Sequence, residues 1–378
     1  MSAGIRARDL GIRIGLLAPG PGHAITDVPG VRVGHATIIA GDGPRVVGAG
    51  PVRTGVTVIV PHAGDPFREG VFAGCHTLNG NGELTGLEWI REAGILSTPV
   101  AITNTHAVGT VRDALCGIAA LGAGAEPVWA LPVVGETFDG VLNDIDGGHV
   151  RAEHVRAAFD AAGAGPVAEG NVGGGTGMIC HRFKGGIGTA SRRLAAEDGG
   201  FTVGVLVQAN YGDRERLAID GIPVGREIPV AEVPDPWLPA RPAPAGTGSI
   251  IVVIATDAPL LPGQCARLAQ RAGLGVARTG GAGAHSSGDL FLAFATGNGP
   301  LPATDRPGRP VVVHDLRMLD DAAITPLFWG VIEATEEAIA NALVAARTMT
   351  GVDGVTAHAI DHDRLRGIVA RHMAARRG

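Results

Sequence analysis

One abrupt change in residue type divides the chain near residue 247. Six prolines lie within Ile228–Gly246, and proline has no N–H to give to a sheet ladder. Directly afterwards Gly246–Ser249 (GTGS) leads into Ile250–Ala255, an unbroken apolar run rich in β-branched residues. Such a run is typical of a strand buried on both faces. We therefore expect an extended, exposed connector, followed by a buried strand that a serine, Ser249, opens.

Other short apolar runs predict further buried strands, at Val56–Val60, Pro99–Thr103, Thr202–Gln208, Leu290–Ala295 and Val311–Val313. Helical patterns bounded by Gly, Pro, Asn or Thr occupy Leu84–Glu92, Ala107–Ala120, Val150–Ala161 and Pro262–Ala272. Strands that alternate with helices favour an α/β fold. No GxGxxG motif follows a strand, so a doubly wound parallel sheet and layered sheets sandwiched by helices both remain open.

The clearest helix begins at about Pro326, because proline suits the first turn of a helix. It ends near Thr348. An apolar stripe on this helix consists of Ile332, Ile339, Leu343 and Ala346. We expect that stripe to pack on the core, and the opposite face to carry Glu333, Glu336 and Glu337.

Charge and apolar patterning exclude two classes of partner. The 31 basic and 37 acidic residues are mixed along the chain and leave a net charge of −6, without the basic stripe that a nucleic-acid site needs. The longest apolar runs are far shorter than the roughly 20 residues of a membrane-spanning helix. We expect neither a nucleic-acid nor a membrane partner.

Cysteine and histidine spacing predicts no metal site. The four cysteines show no CxxC pair and are expected to be reduced thiols: Cys75, Cys116, Cys180 and Cys265. The histidines are scattered, with no HExxH. The apolar stretch Ile14–Leu17 is too short for a secretory signal, so a cytoplasmic location is expected.

Ser249 is the strongest candidate nucleophile. A serine hydroxyl needs a base, and an N-terminal serine can use its own α-amine, whose reference pKa is about 8. Cleavage of the Gly248–Ser249 bond would create that base, and the flanking glycines allow the strained geometry that cleavage requires. On spacing alone, GTGS is better explained as a loop that simply enters a strand.

Several longer motifs resemble the DmpA family of N-terminal-nucleophile aminopeptidases, which includes the β-peptidyl aminopeptidases. They cover nearly the whole chain: ITDVPGVRVGH (Ile25–His35), NGNGELTG (Asn79–Gly86), GETFDGVLNDI (Gly135–Ile145), GGGTGMICHRFKGGIGTASR (Gly173–Arg192), VQANYG (Val207–Gly212) and GTGSIIVVIATDAPLLP (from Gly246). The resemblance implies a single four-layer α/β/β/α sandwich of the DmpA and ornithine-acetyltransferase type. It also implies self-cleavage into an α-subunit (1–248) and a β-subunit (249–378), assembled as a homo-oligomer, a tetramer of processed heterodimers.

The same resemblance assigns the catalytic groups. Ser249 matches the nucleophile and Asn210 the residue that stabilises the oxyanion with its amide N–H. Ser287 and Asp289 match a serine and an acid that orient the amine and pass protons. Asp289 stands where the family has the longer Glu, which would require a backbone shift or a bridging water. From local sequence alone, Ser287–Asp289 is more typical of a turn, and Asn210–Gly212 fits an ordinary turn equally well.

Substrate-binding residues follow from the same comparison. Glu136 matches the carboxylate that receives the free amino group of the substrate. Phe138 stands where the family has a tyrosine, so one hydroxyl donor is missing near the reacting centre. Lys184 is a possible further residue that steadies negative charge near the nucleophile, or else is a solvated lysine in a glycine-rich turn.

The resulting prediction is a self-processing serine aminopeptidase or amidohydrolase. It would release N-terminal amino acids from peptides, amides or esters through an acyl-enzyme at Ser249, without a metal or cofactor. Two alternatives remain: an acyltransferase of the ornithine-acetyltransferase type, and an inactive scaffold homologue, which the Phe138 and Asp289 substitutions make conceivable.

Overall fold

The computed structural model of the chain describes residues 4–123, 128–237, 248–302 and 311–376. Its strands are β1 (Arg32–Ala40), β2 (Val52–Val60), β3 (Glu69–Gly80), β4 (Ile95–Leu96), β5 (Val100–Asn104), β6 (Val133–Thr137), β7 (Ile179–Cys180), β8 (Phe183–Lys184), β9 (Gly186–Arg193), β10 (Thr202–Asn210), β11 (Gly248–Thr256), β12 (Ser287–Ala295), β13 (Leu301–Pro302), β14 (Met349–Thr350) and β15 (Thr356–Ala357). Its α-helices are α1 (Leu87–Ala93), α2 (Val108–Ala123), α3 (Ala152–Asp160), α4 (Val224–Glu227), α5 (Pro262–Arg278), α6 (Thr325–Val344) and α7 (His362–Ala375). Short 3-10 turns cover Ala7–Leu10, Ile25–Asp27, Thr105–Ala107, Ile145–Gly147, Gly173–Gly175, Ala196–Asp198, Arg214–Arg216, Asp321–Ala323 and Val352–Gly354.

Two larger sheets organise the chain. The smaller has the order β1-β2-β5-β6, with β5 and β6 parallel and its other neighbours antiparallel. The larger has the order β13-β3-β12-β11-β10-β9, with β4 beside β3, and only its β11–β12 pair is parallel. Because most neighbouring strands are antiparallel, the doubly wound parallel sheet left open by the sequence is wrong.

Alternate residues of β11 show how the layers pack. Ile250, Val252 and Ile254 join the cluster that contains residues of α5 and α6. Ile251 and Val253 face the other way, into the cluster between the two sheets. A strand buried on both faces must be apolar at every position, which is the reason for the unbroken apolar run.

A third hydrophobic cluster covers the other face of the smaller sheet. Val56, Val58 and Val60 of β2 pack there with Leu115 of α2 and Val155 of α3. The layers are therefore α2 and α3, the smaller sheet, the larger sheet, and α5 with α6. This arrangement confirms the four-layer α/β/β/α sandwich.

The carboxylate face of α6 lies inside the protein. Glu333, Glu336 and Glu337 are buried, at 4%, 1% and 1% exposure. Arg192, itself fully buried, lies 3.1 Å from Glu333 and 2.6 Å from Glu337, and Arg8 of the N-terminal segment also binds Glu337. This face is also buried, because strand β9 and the N-terminal segment cover the helix and supply the opposite charges.

Two other expectations fall in irregular parts of the chain. Val311–Val313 forms no strand, and its side chains are exposed. Its β-branched residues have no sheet neighbour among the described strands. The connector contains no strand or helix over Pro229–Trp237. The rest of the predicted connector, residues 238–246, lies outside the described residues.

The described residues also settle two simpler points. All four cysteines are free thiols. Across the four described ranges, no helix is both long enough and apolar enough to cross a membrane.

Candidate active site

Three strands of the larger sheet bring the predicted catalytic residues together. Asn210, at the end of β10, lies opposite Ser249 in the antiparallel ladder. Ser249 pairs with Gly288 in the parallel ladder, so that Ser287 and Asp289 flank it on β12. Ser287–Asp289 opens a strand and Asn210 closes one, which excludes the interpretation of either as an isolated turn.

Ser249 is held beside the bond whose cleavage is predicted. Its side chain is 6% exposed, and its hydroxyl donates to the carbonyl oxygen of Gly248 at 2.8 Å. The backbone N–H of Gly288 donates to the same hydroxyl oxygen at 3.2 Å. The hydroxyl therefore lies next to the carbonyl that it would attack, with one donor already fixing its position.

Asn210 is fixed by two backbone groups. Its Oδ1 accepts from the N–H of Ile179 at 2.7 Å, and its Nδ2 donates to the carbonyl of Phe138 at 3.0 Å. A backbone N–H can only donate and a carbonyl can only accept, so these contacts define which way the amide points. The second Nδ2 hydrogen has no partner among the described residues and is available to an oxyanion.

Ser287 and Asp289 form a direct pair. The Ser287 hydroxyl donates to Asp289 Oδ1 at 2.6 Å, and no bridging water is needed. The ladder to β3 is irregular at Asp289, where the register shifts before Leu290. Burial raises the pKa of the Asp289 carboxyl to about 6, although hydrogen bonds from Ser287 and the Ile250 N–H partly offset this.

The sheet separates this pair from the serine hydroxyl. Ser249 lines one cavity of about 440 Å³, whereas Ser287 and Asp289 line another of about 730 Å³. The contacts that join the two sides run through the backbone of Gly288 and Ile250. Neither side chain of this pair therefore shares the cavity of the Ser249 hydroxyl.

The cavity beside Ser249 contains a buried carboxylate. Glu136 of β6 is 3% exposed and accepts hydrogen bonds from the Glu83 N–H, at 3.0 Å, and from the Thr105 hydroxyl. Burial raises the pKa of Glu136, and these two donors oppose the shift. A carboxylate held in this way can bind an ammonium group through charge-assisted hydrogen bonds.

Aromatic side chains form part of the cavity wall. Phe138 is 40% exposed there, and Trp237 of the connector lines the same space. Arg182 lies over the Trp237 ring at 5.9 Å, and the backbone N–H of Trp237 donates to Asp235 Oδ1 at 2.9 Å. The cavity can therefore accept a substrate with an apolar group next to a cationic one.

Lys184 lies outside both cavities. It is fully buried and is not among the described residues that line either cavity, so the solvated alternative is excluded. Tyr211, the one tyrosine, is also buried, and its hydroxyl is 2.6 Å from Thr279. Neither side chain supplies the donor that Phe138 lacks.

Sequence reasoning missed several residues of the cavity, namely Asn81, Gly82, Glu83, Thr105, Trp237 and Ser286. The first three lie within the family-like motif Asn79–Gly86, which was the available signal. Trp237 lies in the predicted exposed connector, where nothing in the sequence marks it as part of a site.

Comparisons with known proteins identify the family of the chain. The profile of peptidase family S58 matches residues 23–357. The β-peptidyl aminopeptidase BapA of Sphingosinicella microcystinivorans is 47% identical over 375 residues, which cover 98% of this chain and 93% of that protein.

Two solved structures are similar throughout. A β-aminopeptidase from Burkholderia sp. is 55% identical with a TM-score of 0.90, covering 97% of this chain and 99% of that one. The L-aminopeptidase D-Ala-esterase/amidase of Ochrobactrum anthropi, described as a serine aminopeptidase with a variant of the Ntn hydrolase fold, is 43% identical with a TM-score of 0.86, covering 97% and 98%. This chain therefore belongs to peptidase family S58 and is a hydrolase of the aminopeptidase type.

Proposed function

We propose that this protein is a self-processing β-peptidyl aminopeptidase whose nucleophile is the N-terminal Ser249 of its β-subunit. The observation that carries the proposal is the Ser249 hydroxyl, which lies 2.8 Å from the Gly248 carbonyl oxygen in the cavity that holds the Glu136 carboxylate. One hydroxyl thus has access both to the bond cleaved in processing and to a bound substrate.

Processing begins when Ser249 Oγ attacks the carbonyl carbon of Gly248. The C–N bond breaks as the Ser249 nitrogen takes the hydroxyl proton, which leaves an ester between the two residues. Water then hydrolyses the ester and releases the Gly248 carboxylate. The products are residues 1–248 and residues 249–378, the latter with a free α-amine beside a free hydroxyl.

That amine is the general base for the substrate reaction. It takes the proton of Ser249 Oγ as the oxygen attacks the scissile carbonyl, and it gives the proton to the leaving amine. The free Nδ2 hydrogen of Asn210 stabilises the oxyanion. Ser287 and Asp289 hold the amine in place from the opposite face of the sheet. Water resolves the acyl-enzyme by the same route and releases the amino acid.

Glu136 is the group that restricts the substrate to a free amino terminus. Its buried carboxylate binds the ammonium group, while Phe138 and Trp237 pack against the apolar part of the acyl group. Relatives named as β-peptidyl aminopeptidase and β-aminopeptidase, at 47% and 55% identity, support β-amino acyl substrates as the first choice.

Intact mass of the purified protein beside Ser249→Ala tests processing. We expect two fragments, of residues 1–248 and 249–378, in the parent protein and one uncut chain in the variant. An uncut parent chain would refute the N-terminal nucleophile. Hydrolysis of β-alanyl, L-alanyl and D-alanyl amides then tests the substrate class, and acetyl-donor substrates test acyl transfer.

We also propose that processed chains assemble into a homo-oligomer, a tetramer of heterodimers. Large apolar side chains exposed on the single chain support an interface, including Leu121 at 76% and Trp329 at 53% exposure. Light scattering should give four times the 38.3 kDa of one chain. The cytoplasmic location stays a prediction.

A further inference from the structure

The two backbone groups that fix Asn210 belong to two separate segments. The N–H of Ile179 comes from the glycine-rich segment 173–180, and the carbonyl of Phe138 comes from the turn that follows β6. A small shift of either segment would turn the amide away from the oxyanion position. Whatever holds these segments therefore determines where the donor points.

Lys184 holds the first segment. Its Nζ donates to the carbonyl oxygens of Met178 at 2.7 Å, Gly185 at 2.8 Å and Gly175 at 3.3 Å. An ammonium group has three hydrogens, so every one has a partner. Met178 directly precedes Ile179, and the clamp therefore acts one residue from the N–H that binds Asn210.

The residue type at position 184 is unusual for this chain. Lys184 is the single lysine in a sequence of 31 basic residues, and it is fully buried. Burial lowers the pKa of its amine to about 7, because the charged form loses its hydration. Its three carbonyl partners offset that loss. The planar guanidinium group of an arginine would not offset it in the same space.

Asp139 holds the second segment. It directly follows Phe138, is 1% exposed, and accepts from the Asn143 side chain at 3.0 Å. Its own carbonyl accepts from the N–H groups of Leu142 and Asn143, each at 3.0 Å. It also packs on the lysine-held segment, because a Cβ built on Gly177 would lie 2.8 Å from the Asp139 Cβ.

We propose that Lys184 and Asp139 are positioning residues for the oxyanion donor Asn210, an inference that rests on the proposed function. Each side chain fixes the segment that carries one of the two backbone groups bound to the amide. Neither touches the substrate. Their effect on the reaction passes through the orientation of the Asn210 amide, so removing Asn210 should remove that effect.

A double-mutant cycle tests this dependence. Lys184→Met is made in the parent protein and in Asn210→Ala, and kcat is normalised to the cleaved fraction found by intact mass. Asn210→Ala alone should lower kcat by about a hundredfold. Lys184→Met should lower kcat by about tenfold in the parent protein, with KM within about twofold, and by less than about twofold in Asn210→Ala.

Equal losses in both backgrounds would overturn the proposal, because the lysine would then act independently of Asn210. If Asn210→Ala left kcat unchanged, the oxyanion role itself would be wrong, which is a different failure. Arg192→Met is the matched control, since it removes a fully buried cation bound to Glu333 and Glu337 and should leave kcat unchanged. If Lys184→Met does not fold, Asp139→Asn, which keeps the side-chain shape, goes through the same cycle with the same expectations.

Discussion

Gly248 has a backbone geometry that suits a cleavable bond and excludes other residues. Its φ is +145°, and a Cβ at this position would lie 2.1 Å from the Asn210 carbonyl oxygen. We expect Gly248→Ala to slow self-cleavage by roughly 10- to 100-fold, because strain of about 1–3 kcal/mol displaces the carbonyl from the Ser249 hydroxyl. The cleaved fraction over time, measured by intact mass, checks this.

Gly263→Ala is the control for that measurement, since a Cβ there meets no atom within 4 Å. Cleavage of Gly248→Ala at the parent rate would show that the backbone geometry at the bond is not required.

Glu136 should matter for substrates but not for processing. Glu136→Gln keeps the size of the side chain and removes the charge that binds an ammonium group. We expect kcat/KM for aminoacyl amides to fall by about 10- to 100-fold, the loss of one charge-assisted hydrogen bond, while self-cleavage continues. Steady-state kinetics measures kcat/KM, and intact mass measures self-cleavage. A variant that loses both would point instead to a disrupted cavity.

Asp289 should determine how kcat/KM falls at acidic pH. Its carboxyl pKa is raised to about 6 by burial, so the carboxylate that accepts from Ser287 is present above that pH and is lost as pH falls through it. We expect kcat/KM to decline below about pH 6 and Asp289→Asn to lack this limb. An unchanged limb in the variant would assign it to another group.

At the scale of elements, a buried ion network holds the carboxylate face of α6. Arg192 bridges Glu333 and Glu337 between strand β9 and the helix. We expect Arg192→Met to lower the free energy of unfolding by about 3–5 kcal/mol, because it leaves buried carboxylates short of a partner. Urea unfolding measures this value, and a loss below about 1 kcal/mol would contradict it.

Strand prediction succeeded or failed for the same kind of reason. The run that opens at Ile250 lies between two layers, and its β-branched residues therefore form a buried strand. Val311–Val313 has similar residues but no neighbouring strand among those described, so the same propensity yields an exposed irregular segment. Propensity becomes structure only where tertiary contacts cover it.

At the scale of the whole molecule, one buried histidine should weaken the fold in acid. Burial lowers the pKa of His181 to about 4, and its Nε2 has no partner among the described residues. Between pH 6.5 and pH 4 the unfolded chain binds the extra proton, so stability falls as pH falls. The free energy of unfolding should therefore be lower at pH 4 than at pH 6.5 by on the order of 3 kcal/mol.

His181→Asn isolates this contribution, because asparagine tolerates the positive φ of +48° at this position. Its free energy of unfolding should fall less steeply than that of the parent protein between pH 6.5 and pH 4. Parallel curves from chemical denaturation would rule out His181 as the source. Groups such as Asp139, whose pKa is raised, affect both proteins alike and cancel in the comparison.

The sequence by itself determined the local features of this protein. An unbroken apolar run requires a strand covered on both faces, and a serine after a glycine at its start marks the candidate nucleophile. The family-like motifs indicated the sandwich, the aminopeptidase class and the cavity residues Glu136 and Phe138. These inferences depend on neighbours along the chain or on motifs that remain contiguous.

Only the tertiary structure decided which distant groups meet. The parallel pairing of β11 with β12 aligns Ser249 with Gly288, and it places Asp289 on the opposite face of the sheet from the hydroxyl. Likewise, the sequence left open a solvated Lys184, whereas in the structure this lysine is buried and binds the segment that contacts Asn210. The physical reason is that periodicity reports which face of an element is apolar, whereas strand register and layer packing determine what covers the other face.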